Sequence, residues 1–97
     1  MPVTATRAAV ALASELVTNA IEGQARHLRM SVTWQADSTL RLTAVEVLPA
    51  ASGTVSPMTA LVLDALADLW HARATTHGRR VDVAIRPRRA DEPFSGS

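Results

Sequence analysis

Residues 28–47 read LRMSVTWQADSTLRLTAVEV, and the phase of this stretch decides the fold. Leu28, Met30, Val32 and Trp34 alternate with Arg29, Ser31, Thr33 and Gln35, the period of a strand with one buried face. Ala36-Asp37-Ser38 is a short polar turn. A second strand follows from Thr39 to about Val47, with Leu40, Leu42 and Ala44 on a shared face. Two alternating runs joined by so short a turn read as an antiparallel hairpin.

Helical periodicity appears on both sides of the hairpin. From about Thr6 the apolar residues Leu12, Leu16, Val17, Ala20 and Ile21 recur at helical spacing, until Gly23 supplies a stop. Pro49 to Ser56 is a loop of small residues, and Ser56-Pro57 places a side-chain cap before a proline at the first helical position. Met58, Leu61, Val62, Ala65, Leu66 and Leu69 then form an apolar stripe that predicts a helix to about Ala74. Thr75 to Gly78 reads as a turn, and Val81, Val83 and Ile85 point inward from a last strand over Arg80 to Arg86.

The order α-β-β-α-β predicts an α/β two-layer sandwich of the α+β class. Its sheet is small, mostly antiparallel and three-stranded, with two helices covering one face. Residues 1–5 read as a lead, 6–87 as one domain and 88–97 as a disordered Arg-rich tail. Three short strands leave two open edges, so a homodimer formed through an edge or the bare sheet face is expected.

Composition narrows the chemistry. The chain has 97 residues and no cysteine, which excludes disulfide scaffolds, thiolate nucleophiles and cysteine-based zinc sites. All ten basic residues are arginine. A phosphate-loop lysine, a Schiff-base lysine and a Ser/Lys dyad are therefore excluded. No apolar run approaches the ~20 residues of a membrane span. Nor does the N-terminus show a basic segment followed by an unbroken apolar stretch, so a cytoplasmic protein with no membrane partner is expected. The net charge of +1 is uneven: residues 79–97 carry five arginines against three acids.

Several side chains are candidates for a site. Glu15 and Asn19 sit four residues apart and share a helix face, where a solvated polar surface is the simplest reading. Glu46 falls on the inward phase of its strand unless the strand has ended, and a buried carboxylate needs a partner. Asp64, Asp68 and His71 fall at i, i+4 and i+7 of the long helix, a spacing open to metal binding or to plain solvation. His27 and His77 lie in expected loops, while Trp34 and Trp70 read as packing residues, Trp70 at the end of the helix. Arg79, Arg80, Arg86, Arg88 and Arg89 read as a solvated basic end. Without an aromatic platform they do not point to a nucleic-acid partner.

The segment Ser14-Glu15-Leu16-Val17-Thr18-Asn19-Ala20 resembles the N-box of the histidine-kinase-like (GHKL, Bergerat-fold) ATPases, in particular the anti-sigma-factor serine kinases. The resemblance implies that Asn19 would hold the magnesium bridging the phosphates of ATP and that Glu15 would orient or deprotonate the attacking group. The strand Leu40 to Glu46 is similar to the one ending in the family's adenine-reading Asp, which places Glu46 at that position. The segments Ala60 to Trp70 and Gly78 to Ile85 are similar to the family's next helix and closing strand.

The departures fall on the nucleotide loops. Val47-Leu48-Pro49 follows Glu46 where the family has a Gly-x-Gly loop, and Pro57-Met58-Thr59 replaces the phosphate-wrapping glycine box. Proline has no N–H to offer a phosphate, and side chains block close backbone approach. The expectation is therefore a non-catalytic regulatory module that binds protein, by resemblance a sigma factor or an antagonist of an anti-sigma factor, with no cofactor. A minimal Mg-ATP-binding protein or serine kinase using Glu15, Asn19 and Glu46 is the first alternative. Nucleic-acid binding through the Arg-rich end is the second.

Overall fold

A computed structural model describes residues 3–86. Helix α1 (Val3–Glu22) leads into strands β1 (His27–Trp34) and β2 (Leu40–Val47). Helix α2 (Pro57–Leu66) and strands β3 (Leu69–Thr75) and β4 (Gly78–Ile85) complete the chain. The four strands form one antiparallel sheet in the order β1-β2-β4-β3. Both helices contribute to one core with the inward residues of the sheet: Leu12, Leu16 and Leu63 meet Leu40, Leu42, Ala44, Val81, Val83 and Ile85. The protein is a two-layer α+β fold. The expected tail, residues 88–97, lies outside the described residues.

The hairpin forms where the alternation places it. The Gln35 N–H bonds the Thr39 carbonyl, the Asp37 carboxylate accepts from the Thr39 N–H, and Ser38 takes a left-handed φ of 64°. These Thr39 hydrogen bonds hold the Asp37 carboxyl below its ordinary range. Helix α1 starts at Val3, inside the stretch expected as a lead, and ends at Glu22 just before Gly23.

The largest correction concerns residues 67–75. The helix predicted to reach Ala74 ends at Leu66, and Ala67 is already extended. The chain then forms a fourth strand, so the sheet is not three-stranded and Trp70 is a strand residue. The reason is tertiary. The Asp68 N–H donates to the Ala84 carbonyl, the Asp68 carboxylate accepts from the Arg86 N–H, and Trp70 and Ala72 pair with Val83 and Val81. Without β3 the Val- and Ile-bearing strand β4 would be an open edge, and pairing outweighs a weak local helix preference.

The apolar stripe on α2 also points elsewhere than expected. Thr59 and Leu63 are the buried residues, whereas Met58, Leu61 and Leu66 are exposed, Leu61 by 65%. Nearly every face of this helix is apolar, so periodicity alone could not orient it. On β1 the expected buried face is half realised. Leu28 and Met30 pack against the core, but Val32 and Trp34 are exposed because α1 lies over β2 and β4 and α2 over β3.

Gly78 opens β4 opposite Val47, where a Cβ would collide with the Glu46 carbonyl and sit 2.8 Å from the Leu48 nitrogen. Both are backbone atoms that cannot turn aside. Gly78→Ala is expected to lower stability by about 1–3 kcal/mol through overpacking. Urea denaturation measures the effect, with no loss for the variant contradicting the close approach.

Candidate functional site

Leu12, Leu16 and Ala20 seat α1 on the core, and the helical repeat then turns Glu15 and Asn19 toward α2. Neither belongs to a plain solvated face. Asn19 is 3% exposed, and its Oδ1 accepts from the Ser56 N–H at 3.0 Å. Glu15 is half-buried and accepts from Thr59 Oγ1 at 2.9 Å, while Thr59 in turn accepts from Ser56 Oγ at 2.9 Å. Ser56 caps α2 as its sequence position predicts, its Oγ accepting from the Thr59 N–H. Glu15 and Asn19 therefore bolt the start of α2 onto α1. The oxygen of Asn19 is identified by its backbone donor, so its amide nitrogen is the group left over. That Nδ2 is buried with no acceptor among the described residues.

Glu46 lies on the inward face of β2, 2% exposed, so the strand continues through it. Its partner is Arg79, directly opposite in the β2–β4 register and 5% exposed. Arg79 Nε and Nη2 donate to the two carboxylate oxygens at 2.6 Å each, and Nη1 donates to the Thr54 carbonyl at 2.6 Å. This is a bidentate, charge-assisted pair with a third bond tying in the 52–56 loop. Arg79 was expected in a solvated basic end, and that reading is corrected. The missed signal was phase, since Arg79 lies two residues before Val81 on the side of Val81, Val83 and Ile85.

Asn19 and Arg79 meet at a cavity of about 290 Å³, also lined by Glu22, Gly23, Ser52 and Thr54. A larger depression of about 430 Å³ lies between Gly53, Thr54 and Val55 on one side and Trp70 and Ala72 on the other. Asn19, Glu46 and Arg79 are thus brought together at one end of the sheet.

The remaining candidates do not gather. Asp64 is in α2 and accepts from Trp70 Nε1 at 2.8 Å, Asp68 lies in the connection to β3, and His71 is on β3. The helical spacing expected for these three is lost once the helix stops at Leu66, and no group of three metal-ligating side chains occurs among the described residues. His27 begins β1 and His77 lies in the β3–β4 turn, both exposed. Trp70 is half-buried against the core, and Trp34 is exposed at the end of β1. Arg80 pairs with Asp82 at 3.0 Å, Arg86 is exposed, and Arg88 and Arg89 lie outside the described residues. Among the described residues no helix is long and apolar enough to cross a membrane.

No family model matches the chain, and neither a curated protein nor a solved structure does.

Removing one partner of a buried pair strands the other charge in a medium that cannot solvate it. Glu46→Gln is therefore expected to cost about 3–5 kcal/mol of stability, and Arg79→Met a similar amount. The double variant Glu46→Gln/Arg79→Met should recover most of the loss. Equal instability of single and double variants in chemical denaturation would contradict a charge-pairing origin.

Proposed function

We propose that this protein is a non-catalytic regulatory module that acts by binding protein, a degenerate relative of the anti-sigma-factor kinase fold. The observation that carries the reading is how Glu46 is used. At the position that resembles the adenine-reading carboxylate, both oxygens of Glu46 are consumed by Arg79, whose guanidinium occupies the space before it. A carboxylate 2% exposed and faced by a guanidinium presents no open side to an exocyclic amine. Asn19 is similarly engaged: it is buried, its oxygen holds the Ser56 N–H, and the nitrogen left over is a donor, which cannot ligate a cation. The residues that would serve nucleotide chemistry in the family serve here to join α1, α2 and β4.

Exposed apolar side chains supply a surface for a partner. Met58, Leu61 and Leu66 on α2 and Val10, Val17 and Ile21 on α1 are all open to solvent. Such residues gain by burial against another chain, at roughly 25 cal/mol per Å² of apolar surface before the costs of association. By resemblance the partner is a sigma factor or an antagonist of an anti-sigma factor, and a second copy of the chain is a further candidate.

Thermal unfolding with and without millimolar Mg-ATP and Mg-ADP tests the loss of nucleotide binding. Any ligand that binds only the folded state raises Tm by mass action. An unchanged Tm is expected in the wild type. A rise that vanishes in Asn19→Ala would return the kinase-like alternative to first place. Protein binding is tested by affinity capture from the native host with wild type and Leu61→Asp. The variant should retain its circular dichroism spectrum and lose the captured partner.

A further inference from the structure

The face of the sheet turned away from the helices has a composition unlike the rest of the molecule. Its strand residues include Arg29 on β1, Arg41 on β2, Arg80 on β4 and Arg73 on β3, with Asp82 as their one carboxylate. Four guanidinium groups against one carboxylate leave a net +3, in a chain whose total is only +1. The other acids of strands and helices lie elsewhere: Glu46 inside, and Glu15, Glu22 and Asp64 on the helical layer.

Register arranges these charges in rows. Arg29 pairs with Val45, Val45 with Arg80, and Arg80 with Arg73, so three arginines from three strands lie on one line across the sheet. Neighbouring strands are about 4.8 Å apart, which spreads the row over about 14 Å. The next row runs Ser31, Thr43, Asp82, His71, and the one beyond it Thr33, Arg41, Ala84, Leu69. The second row supplies hydroxyls beside the arginines. The third, with His71 and Asp82, lines a depression of about 220 Å³ in which Arg41 is steadied by a 2.9 Å bond from its Nε to Gln35 Oε1.

This arrangement is costly for an isolated protein. Like charges directly opposite one another across a strand pair are destabilising, and Arg73 faces Arg80. Asp82 bonds Arg80 directly and attracts Arg73 from further off, one carboxylate against both. Arg29 and Arg73 have no ion-pair partner among the described residues. An anion laid along the row would relieve the repulsion.

The geometry points to a binding surface for the phosphate backbone of a single-stranded nucleic acid, laid across the bare face of the sheet along the Arg29–Arg80–Arg73 row. Guanidinium groups and hydroxyls are the side chains that hold phosphate oxygens. A protein surface of acidic character is the less suitable occupant, because protein interfaces centre on buried apolar or aromatic anchors. Here Leu69 at one corner is the large exposed apolar residue of the face, while Val45 and Val47 are half-buried. The strand residues of this face include no Phe, Tyr or Trp, and their rings are the imidazoles of His27 and His71, so phosphate contacts dominate and binding is strongly salt-dependent. This surface is separate from the helical one and does not rest on the protein-binding reading.

The test is fluorescence polarisation of the full chain with a labelled oligouridylate, titrated between about 50 and 200 mM salt. The wild type should bind at low salt, with log affinity falling linearly in log salt. Arg29→Ser/Arg73→Ser, with circular dichroism unchanged, should weaken binding on the order of tenfold and reduce the salt slope by about 1.4, at about 0.7 per phosphate contact. Arg88→Ser/Arg89→Ser should bind nearly as the wild type does. Absence of binding at low salt overturns the proposal. So does retention of wild-type affinity in Arg29→Ser/Arg73→Ser with loss in Arg88→Ser/Arg89→Ser, which would move the contact to the chain end. Polyglutamate displacing the oligonucleotide at equal charge concentration would overturn it in favour of an acidic protein.

Discussion

Arg79 and Glu46 form the ion pair around which the rest of the structure is arranged. Both side chains lie in the interior, where an unpaired charge is intolerable, so each dictates the placement of the other. Their bond sets β2 against β4 in a single register, and a slip of one residue in either strand would put the two charges on opposite faces of the sheet. The third bond of Arg79, to the Thr54 carbonyl, pulls the β2–α2 connection down onto the end of the sheet. The small residues of that connection, Ala50, Ala51, Ser52 and Gly53, allow it to lie close.

A second polar assembly governs the helical layer. Asn19 and Glu15 hold Ser56 and Thr59, so the rotation of α2 about its axis follows from two hydrogen-bonded side chains rather than from its apolar stripe. The consequence is an outward face of Met58, Leu61 and Leu66 that an amphipathic reading would have buried. Interior polar groups thereby confer orientation while freeing apolar surface for another molecule. The two layers consequently differ in chemistry. The helical side is apolar and acidic, and the bare sheet face is basic.

How much of this was legible depends on the range of the interaction concerned. The β1–β2 hairpin was readable because its alternation and its turn are both local. So were the cap at Ser56 and the stop at Gly23. Residues 67–75 were not, because Leu66, Leu69 and Ala74 continue a helical pattern and nothing nearby marks the break. The decision is made by β4, which follows after a two-residue turn and pairs back along the whole of β3, from Thr75–Gly78 to Leu69–Ala84. Glu46 was recognisable as an inward carboxylate, but its partner was hidden by counting Arg79 with the arginines that follow it. The neighbours Arg79 and Arg80 point to opposite faces, one into the interior and one onto the basic surface.

Sequence alone determined the class of fold, the order of its first four elements, the chemistry that missing lysine and cysteine exclude, and the inward phase of Glu46. Each of these rests on composition or on a period within a few residues of chain. Tertiary structure alone decided the fourth strand, the Arg79–Glu46 pair, the orientation of α2 and the row of arginines across the sheet. The physical reason is common to all four. Each depends on pairing outside the local period, across the β3–β4 turn for the fourth strand and between segments distant in sequence for the other three, where hydrogen bonding and charge neutralisation outweigh a local preference of a fraction of a kcal/mol per residue.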